Sequence, residues 1–395
     1  MSAPAKVHGM DGTLVAPDWP PLTLAEVRTL LAHFPALGEP IEILSISPRP
    51  LSAASIVNTT SGRAFIKRHH RTVRNAEGLA EEHCFLVHLH AHGASVPRVF
   101  VSASGHTAIE IGDWTYEVHE TPNGVDLYED AISWTPFRTA AHAHSAGQAL
   151  ARLHCAAQGF TAPVRKPQPL VASFTIFAAN DPGIALEHYL SARLSLSSNA
   201  AVRAHCKQAL QLLAPFHAQL LPLLPALPPL WTHNDLHASN LIWSDFSDSA
   251  QATATIDFGL ADRTNAVYDI ANAIERNIVE WLVLVADPDH PDDVPVHLDH
   301  LHALLEGYES IHPLSAAEAA ALAPMTALCH AEFALSESDY FLGVLHSAEK
   351  APMAHDGWLV GHARWFHGPA GRNLLEAIES WAATRGHRAQ KVGAP

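Results

Sequence analysis

Basic side chains are scarce in this chain of 395 residues: 24 lysines and arginines stand against 40 acids, for a formal charge of −16. They form no Lys/Arg cluster of the kind that neutralises phosphates along a nucleic-acid groove, so nucleic acid is excluded as a partner. Long apolar runs are missing too, and no stretch is long and unbroken enough to cross a bilayer. The opening MSAPAKVHGMDGTLVAPDWPP lacks the hydrophobic segment of a signal peptide and reads as an extended or mobile arm over residues 1–22. The four cysteines, Cys84, Cys155, Cys206 and Cys329, show no CxxC or other ligand spacing. Free, buried thiols in a reducing compartment are expected, and with them a cytoplasmic enzyme. Internal repeats and low-complexity tracts are absent. Histidine, by contrast, is abundant at 29 residues. His88, His90 and His92 alternate along a predicted helix, where positions i and i+2 face different ways, so the three cannot converge on one ion, and no zinc site is expected in the chain.

What is present is concentrated between Trp231 and Asp269: WTHNDLHASNLIW, a gap, then TIDFGLADRTNAVYDIA. The order His233, Asp235, Asn240, Asp257 is the one a phosphoryl-transfer site needs. One carboxylate faces the acceptor hydroxyl, while a carboxamide and a second carboxylate hold magnesium against the polyphosphate. Residues 241–243 and 252–256 are β-prone and flank a polar turn, so a hairpin should set Asn240 beside Asp257, two hard oxygen donors.

This segment resembles the aminoglycoside phosphotransferase and choline kinase family. The resemblance implies an α+β, bilobal, protein-kinase-like fold, with a small antiparallel-sheet N-lobe carrying one helix and a larger, mainly helical C-lobe. It implies that ATP and Mg2+ are used, with Asp235 as catalytic base and Asn240 and Asp257 as metal ligands. Tyr268-Asp269-Ile270-Ala271 matches the family's helix start, with Asp269 read as an N-cap tying that helix to the catalytic loop. His233 is read as a brace for that loop. Departures are visible: Asn234 stands where the small-molecule kinases commonly have Gly and gives the HND found in choline and ethanolamine kinases, whereas Asp257-Phe258-Gly259 reads more like a protein or antibiotic kinase.

Upstream, residues 41–46, 56–58 and 64–68 read as strands around a loop at 48–55. Lys67 occupies the place of the strand lysine that contacts the α and β phosphates in kinases. Ser52 resembles the family's phosphate-covering serine, although Pro50 and Leu51 replace glycine there. Asn75 should cap a helix running to about His92, stopped by Gly93. On it Glu82 falls in the stripe of Leu79, Leu86 and Leu89. A carboxylate in an apolar stripe needs a partner, and Lys67 is the expected one. Residues 120–124 form the hinge between lobes, with Glu120 and Pro122 at the adenine edge; the proline supplies no amide hydrogen. The boundaries expected are 23–120 for the nucleotide lobe and 121–395 for the catalytic and acceptor lobe.

Further helices are expected at 138–157, 183–195, 200–221, 270–285, 296–309, 315–346 and 370–384. Segment 275–310 holds nine acids against Arg276 alone. Such a field favours a cationic acceptor, with Trp281 or Trp365 available to stack on an ammonium group; a solvated acidic loop is the plainer reading. The activity expected is ATP- and Mg2+-dependent phosphorylation of a small-molecule hydroxyl, on an amino sugar, another cationic amine or a choline-like alcohol. The alternatives are a Ser/Thr protein kinase of the bacterial stress-response type, faintly resembled by Glu81-Glu82-His83 and segment 105–113, and a non-catalytic nucleotide-binding module. Oligomeric state is not legible.

Overall fold

The computed structural model describes residues 7–9 and 12–392, with side chains through 385. Five antiparallel strands form the small lobe, in the spatial order Pro40–Ile46, Ala53–Thr59, Gly62–His70, Trp114–Glu120, Ala108–Ile111. Helix Leu24–Leu31 packs on this sheet through Val27, Leu30 and Leu31. The Thr23 and Glu26 spacing in the sequence predicts a capping box at its start, and the Glu26 amide donates to Thr23 Oγ1 at 3.2 Å. Glu26 also receives Arg68 at 2.7 Å and the Tyr116 hydroxyl at 2.5 Å, so one side chain ties the helix to two strands. Helix Ala76–Ala91 begins at Asn75, whose side chain accepts from the Gly78 amide at 2.8 Å, as the sequence indicates. It buries Leu79, Glu82, Leu86 and Leu89.

The N-terminal segment is not a free arm. Val7–His8 and Leu14–Val15 pair antiparallel, the His8 amide donates to Pro48 at 2.8 Å, and the Trp19 ring stacks on His70 with centroids 5.0 Å apart. Aromatic burial and backbone pairing fix this segment; residues 1–6 and 10–11 of the expected arm lie outside the described residues.

The large lobe is built on one continuous core. At its centre helix Ala140–Ala157 crosses helix Leu298–Glu309 at two glycines. A Cβ on Gly147 would be driven into the Leu304 carbonyl and lie 2.8 Å from the Tyr308 amide, and one on Gly307 would meet the His144 backbone. Backbone contact of this kind leaves no room for a methyl group. Gly147→Ala is expected to destabilise the fold by about 1–3 kcal/mol, read from the denaturation midpoint; an unchanged midpoint would contradict the close crossing.

The single helix expected over 315–346 is divided. Ala316–Leu328 and Ala331–Asp339 are separated at Cys329 and His330, and π-helical turns follow at Tyr340–Val344 and Met353–Gly361. The break turns His330 toward Glu275, and the Tyr340 hydroxyl accepts from Trp19 Nε1 at 3.1 Å and donates to Asp18 at 3.0 Å. Cys206 and Cys329 are buried and free, but Cys84 and Cys155 are exposed, because they fall on the solvent faces of their helices. No helix among the described residues is long and apolar enough to cross a membrane.

Candidate active site

Strand Pro229–Thr232 pairs antiparallel with Asp262–Asn265, Thr232 opposite Asp262. The loop that leaves this strand is held from below by Asp269, whose carboxylate accepts from the His233 and Asn234 amides at 2.9 and 2.7 Å and from His154 Nε2 at 2.9 Å. Burial opposes ionisation of Asp269, but the His154 hydrogen bond and the neighbouring imidazoles outweigh it and hold the carboxyl below its ordinary value. The N-cap of this helix is Asn265, which accepts from the Tyr268 amide at 2.9 Å. Asp269 therefore sits inside the first turn. The tie to the catalytic loop is as expected, the cap is not. His233 braces the loop, donating from Nε2 to the Ile256 carbonyl at 2.9 Å and accepting the Asp235 amide on Nδ1 at 3.2 Å.

The hairpin forms between Leu241–Trp243 and Ala252–Thr255. Its closure is sealed by the Ile256 amide donating to the Asn240 carbonyl at 2.9 Å. Asn240 Nδ2 donates to the Asp235 carbonyl at 2.9 Å, which leaves Oδ1 free to coordinate. Asn234 and Asp257 have φ of 65° and 59°, in the left-handed region. Trp134 and Leu170, which line the same cleft, share that conformation at 67° and 55°. Strained backbone thus collects around one site.

Two carboxylates in the cleft differ sharply. Burial pushes Asp235 up to about 6 even though Arg276 Nε lies 3.0 Å from its Oδ1. Burial also opposes charge on Asp257, but Lys67 Nζ at 2.8 Å outweighs it and brings that carboxyl down to about 2. One carboxyl poised near neutrality beside one held ionised is the division that a proton acceptor and a cation ligand would need in phosphoryl transfer. Asn240 Oδ1 and the Asp257 carboxylate are hard oxygen donors, and such a pair suits magnesium, which takes its remaining ligands from phosphate and water.

Residues 51–314 match the phosphotransferase enzyme family. The chain belongs to that family. This phosphotransferase moves a phosphoryl group to an alcohol acceptor. No curated protein matches its sequence. Its fold is similar to a microcompartment-associated aminopropanol kinase (18% identity, TM-score 0.58, covering 90% of this chain and 99% of the other). It is also similar to amicoumacin kinase in complex with AMP-PNP, Ca2+ and amicoumacin (15%, 0.53, 86% and 95%). A third is spectinomycin phosphotransferase with ADP and spectinomycin (12%, 0.50, 91% and 98%).

In this phosphotransferase Ser52, Lys67, Asp235, Asn240 and Asp257 line one cleft between the lobes. Glu82 does not pair with Lys67. It lies 3.8 Å from Arg165, while Lys67 takes Asp257. The acid behind Lys67 is Glu117, opposite it in the strand register, whose charge with that of Asp257 keeps the ammonium raised against burial. Glu117 is the hub of three imidazoles, His69, His83 and His119, each donating from Nε2 at 2.8–2.9 Å. Glu120 pairs with Arg98 at 3.1 Å, and neither it nor Pro122 lines the cleft. Trp281 and Trp365 are buried, their indoles donating to the Glu275 and Pro291 carbonyls at 2.7 and 3.0 Å, so neither can stack on an acceptor.

Four residues that the sequence reading passed over belong to the cleft or back it. Arg49, from the loop between Ile46 and Ala53, donates to Ala131 O at 3.1 Å; burial lowers its pKa against the pull of Asp126, Asp257 and Asp235. Arg74 donates to the carbonyls of Leu170 and Gly259 at 2.7 and 3.0 Å, fixing the segment after Asp257. Arg276 lies two turns beyond Asp269 on the same helix and backs Asp235. Glu337 is fully buried, lines the cleft one turn after Phe333, and neither of its oxygens has a hydrogen-bond partner. The signal for Glu337 was a lone charge in the apolar stripe of Phe333, Ala334, Tyr340 and Phe341.

Proposed function

We propose that this phosphotransferase is an ATP- and Mg2+-dependent kinase that phosphorylates a hydroxyl of a small molecule bearing an amine. The observation that carries the reading is the convergence of Lys67 with Asp235, Asn240 and Asp257, drawn from two distant parts of the chain, on one cleft. In this reading residues 23–120 serve the nucleotide and 121–395 the catalytic base and acceptor. Lys67, Arg49 and the Ser52 loop position phosphates; Arg49 contributes charge where Pro50 and Leu51 keep the loop backbone from approaching as glycine would. Asn240 and Asp257 hold magnesium, which when bound neutralises charge on the transferring phosphate. Asp235 orients the acceptor hydroxyl and takes its proton as the new P–O bond forms. Nucleotide use is supported by the AMP-PNP and ADP complexes of two relatives in fold.

Glu337 supports the amine. Burial raises its carboxyl well above the ordinary value despite Arg276, a cost that an ammonium group hydrogen-bonded to it would relieve. Trp134 and Phe333, with ring centroids 5.8 Å apart, form an aromatic wall beside it. The same wall, with His8 and Gly9 of the N-terminal hairpin, encloses the acceptor side. That favours a metabolite or antibiotic over a protein substrate. The aminopropanol kinase similar in fold is named for an amino alcohol, which agrees with this class.

The test is an ADP-release screen over amino alcohols, amino sugars and hydroxylated amino acids, with Asp257→Ala as the blank. Magnesium-dependent turnover of an amine-bearing alcohol is expected; ATP binding with no turnover across the set would overturn the reading. Glu337→Gln should raise KM for the amine-bearing acceptor ~10- to 100-fold, as loss of a charged hydrogen bond does, with kcat much less changed. An equal KM in the two proteins would remove Glu337 from recognition.

A further inference from the structure

Among the described residues, three groups of histidines and acids bring ligand atoms within 4.8 Å of one another. Two explain themselves. The cluster around Glu117 is held by hydrogen bonds, three N–H donors on one carboxylate at 2.8–2.9 Å, with His83 Nδ1 alone among its buried ring nitrogens and carboxylate oxygens left without a partner. The group of His297, Asp299 and His300 lies partly in solvent.

The third group is different. Glu275, from helix Ala266–Ile278, meets His330, at the break before helix Ala331–Asp339, and His362, just after the π-helical run Met353–Gly361. All three are nearly fully buried, at 2%, 4% and 3% exposure. Glu275 Oε2 and both ring nitrogens of His330 and of His362 have no hydrogen-bond partner. Each orphaned buried polar atom costs about 1–3 kcal/mol, so five together call for an occupant.

The spacing says which kind. Glu275 Oε1 lies 3.3 Å from His330 Nδ1 and 3.5 Å from His362 Nδ1, and neither contact has hydrogen-bond geometry. Two donors each about 2.1 Å from one tetrahedral ion are about 3.4 Å apart. Charge agrees: the Arg276 guanidinium is surrounded by Asp235, Glu275 and Glu337, three carboxylates around one cation. A divalent ion at Glu275 offsets that excess. Trp281, with its ring centroid 3.6 Å from that of His362, and Trp358 at 5.2 Å close the site from solvent, as in a structural metal centre.

We propose that Glu275, His330 and His362 bind a borderline divalent cation of the zinc class, a second metal site separate from Asn240 and Asp257. Its place gives it a purpose. Glu275 immediately precedes Arg276, which backs the base Asp235, and His330 opens the helix that carries Phe333 and Glu337 into the cleft. The ion would brace the wall of the acceptor pocket by joining three segments far apart in sequence.

The full-length protein, stripped with chelator, would be titrated with Zn2+ by calorimetry in magnesium- and nucleotide-free buffer, and with Co2+ followed by visible absorption. One equivalent is expected, with the intense bands of tetrahedral cobalt, and two imidazole ligands in zinc X-ray absorption. His330→Gln and His362→Gln should each weaken binding at least ~10-fold, whereas Asp257→Asn and His83→Gln should leave the equivalent in place. If either histidine variant fails to fold, the wild-type stoichiometry, the ligand count and the two control variants decide the matter. No stoichiometric binding, octahedral cobalt, or an equivalent that leaves with Asp257→Asn or His83→Gln would each overturn the site. The readout is bound metal and not turnover, so it stands or falls apart from the kinase reading.

Discussion

Replacing Asp235 with Asn is expected to lower kcat by ~10²–10⁴-fold, the contribution of a positioned general base, while leaving nucleotide affinity within a few-fold of wild type. The carboxamide keeps the shape of the side chain and can still accept from Asn240 Nδ2, whose 2.9 Å bond is to the Asp235 backbone carbonyl and is untouched by the change. What disappears is the capacity to take a proton. Because burial pushes Asp235 up to about 6 in the folded protein, kcat/KM of the wild type should fall as the pH drops through that value, and the acidic limb should be absent from the residual activity of Asp235→Asn. Single-turnover rates in the two proteins, with nucleotide affinity measured separately, decide it. Turnover within tenfold of wild type would remove Asp235 from the role of base.

The second large effect concerns Arg276. Its guanidinium is buried, lies 3.0 Å from Asp235, and packs over Phe333 and Trp134 with its central carbon 4.6 and 5.3 Å from the ring centroids. Arg276→Met keeps much of the volume and strands three carboxylates without their cation. Breaking a buried pair in this way costs about 3–5 kcal/mol. The sign of the pH effect follows from the same charge. Arg276 helps Asp235 to ionise, so its removal moves the acidic limb of kcat/KM above about 6, toward neutrality. For stability, an aspartate with a raised folded pKa binds its proton more tightly than in the unfolded chain. The variant should therefore be least stable above that pKa and recover part of the loss as pH falls toward about 5. Denaturation at about pH 8 and about pH 5, with the pH profile of kcat/KM, checks both halves. A limb that stays where it was would show that Arg276 does not tune the base.

Those two residues stand on opposite sides of what could be read in advance. Asp235 was legible because the loop that presents it is short. His233 braces it through an amide two residues on, Asn240 reaches it from five residues on, and the hairpin that brings Asp257 back is closed by local strand pairing. The caps at Thr23 and Asn75 were legible for the same reason: a side chain satisfying an amide three residues away needs no tertiary context. Asn265 shows the limit even there, since Asp269, four positions later, is an equally good capping residue by type. Only the actual turn of the helix distinguishes them.

The amino-acid sequence by itself determined the order of His233, Asp235, Asn240 and Asp257, the strand that carries Lys67 and the helix starts at Thr23 and Asn75, all of them products of contacts within a few residues or of hydrophobic period, while the two-lobed architecture followed from the family resemblance. The tertiary structure alone decided that Lys67 meets Asp257, 190 residues away, and not Glu82. It also placed Arg276 behind Asp235, turned Glu337 unpartnered into the cleft, and gathered Glu275, His330 and His362. A buried charge pairs with whichever opposite charge the packed lobes bring within about 4 Å. No pattern along the chain encodes that distance.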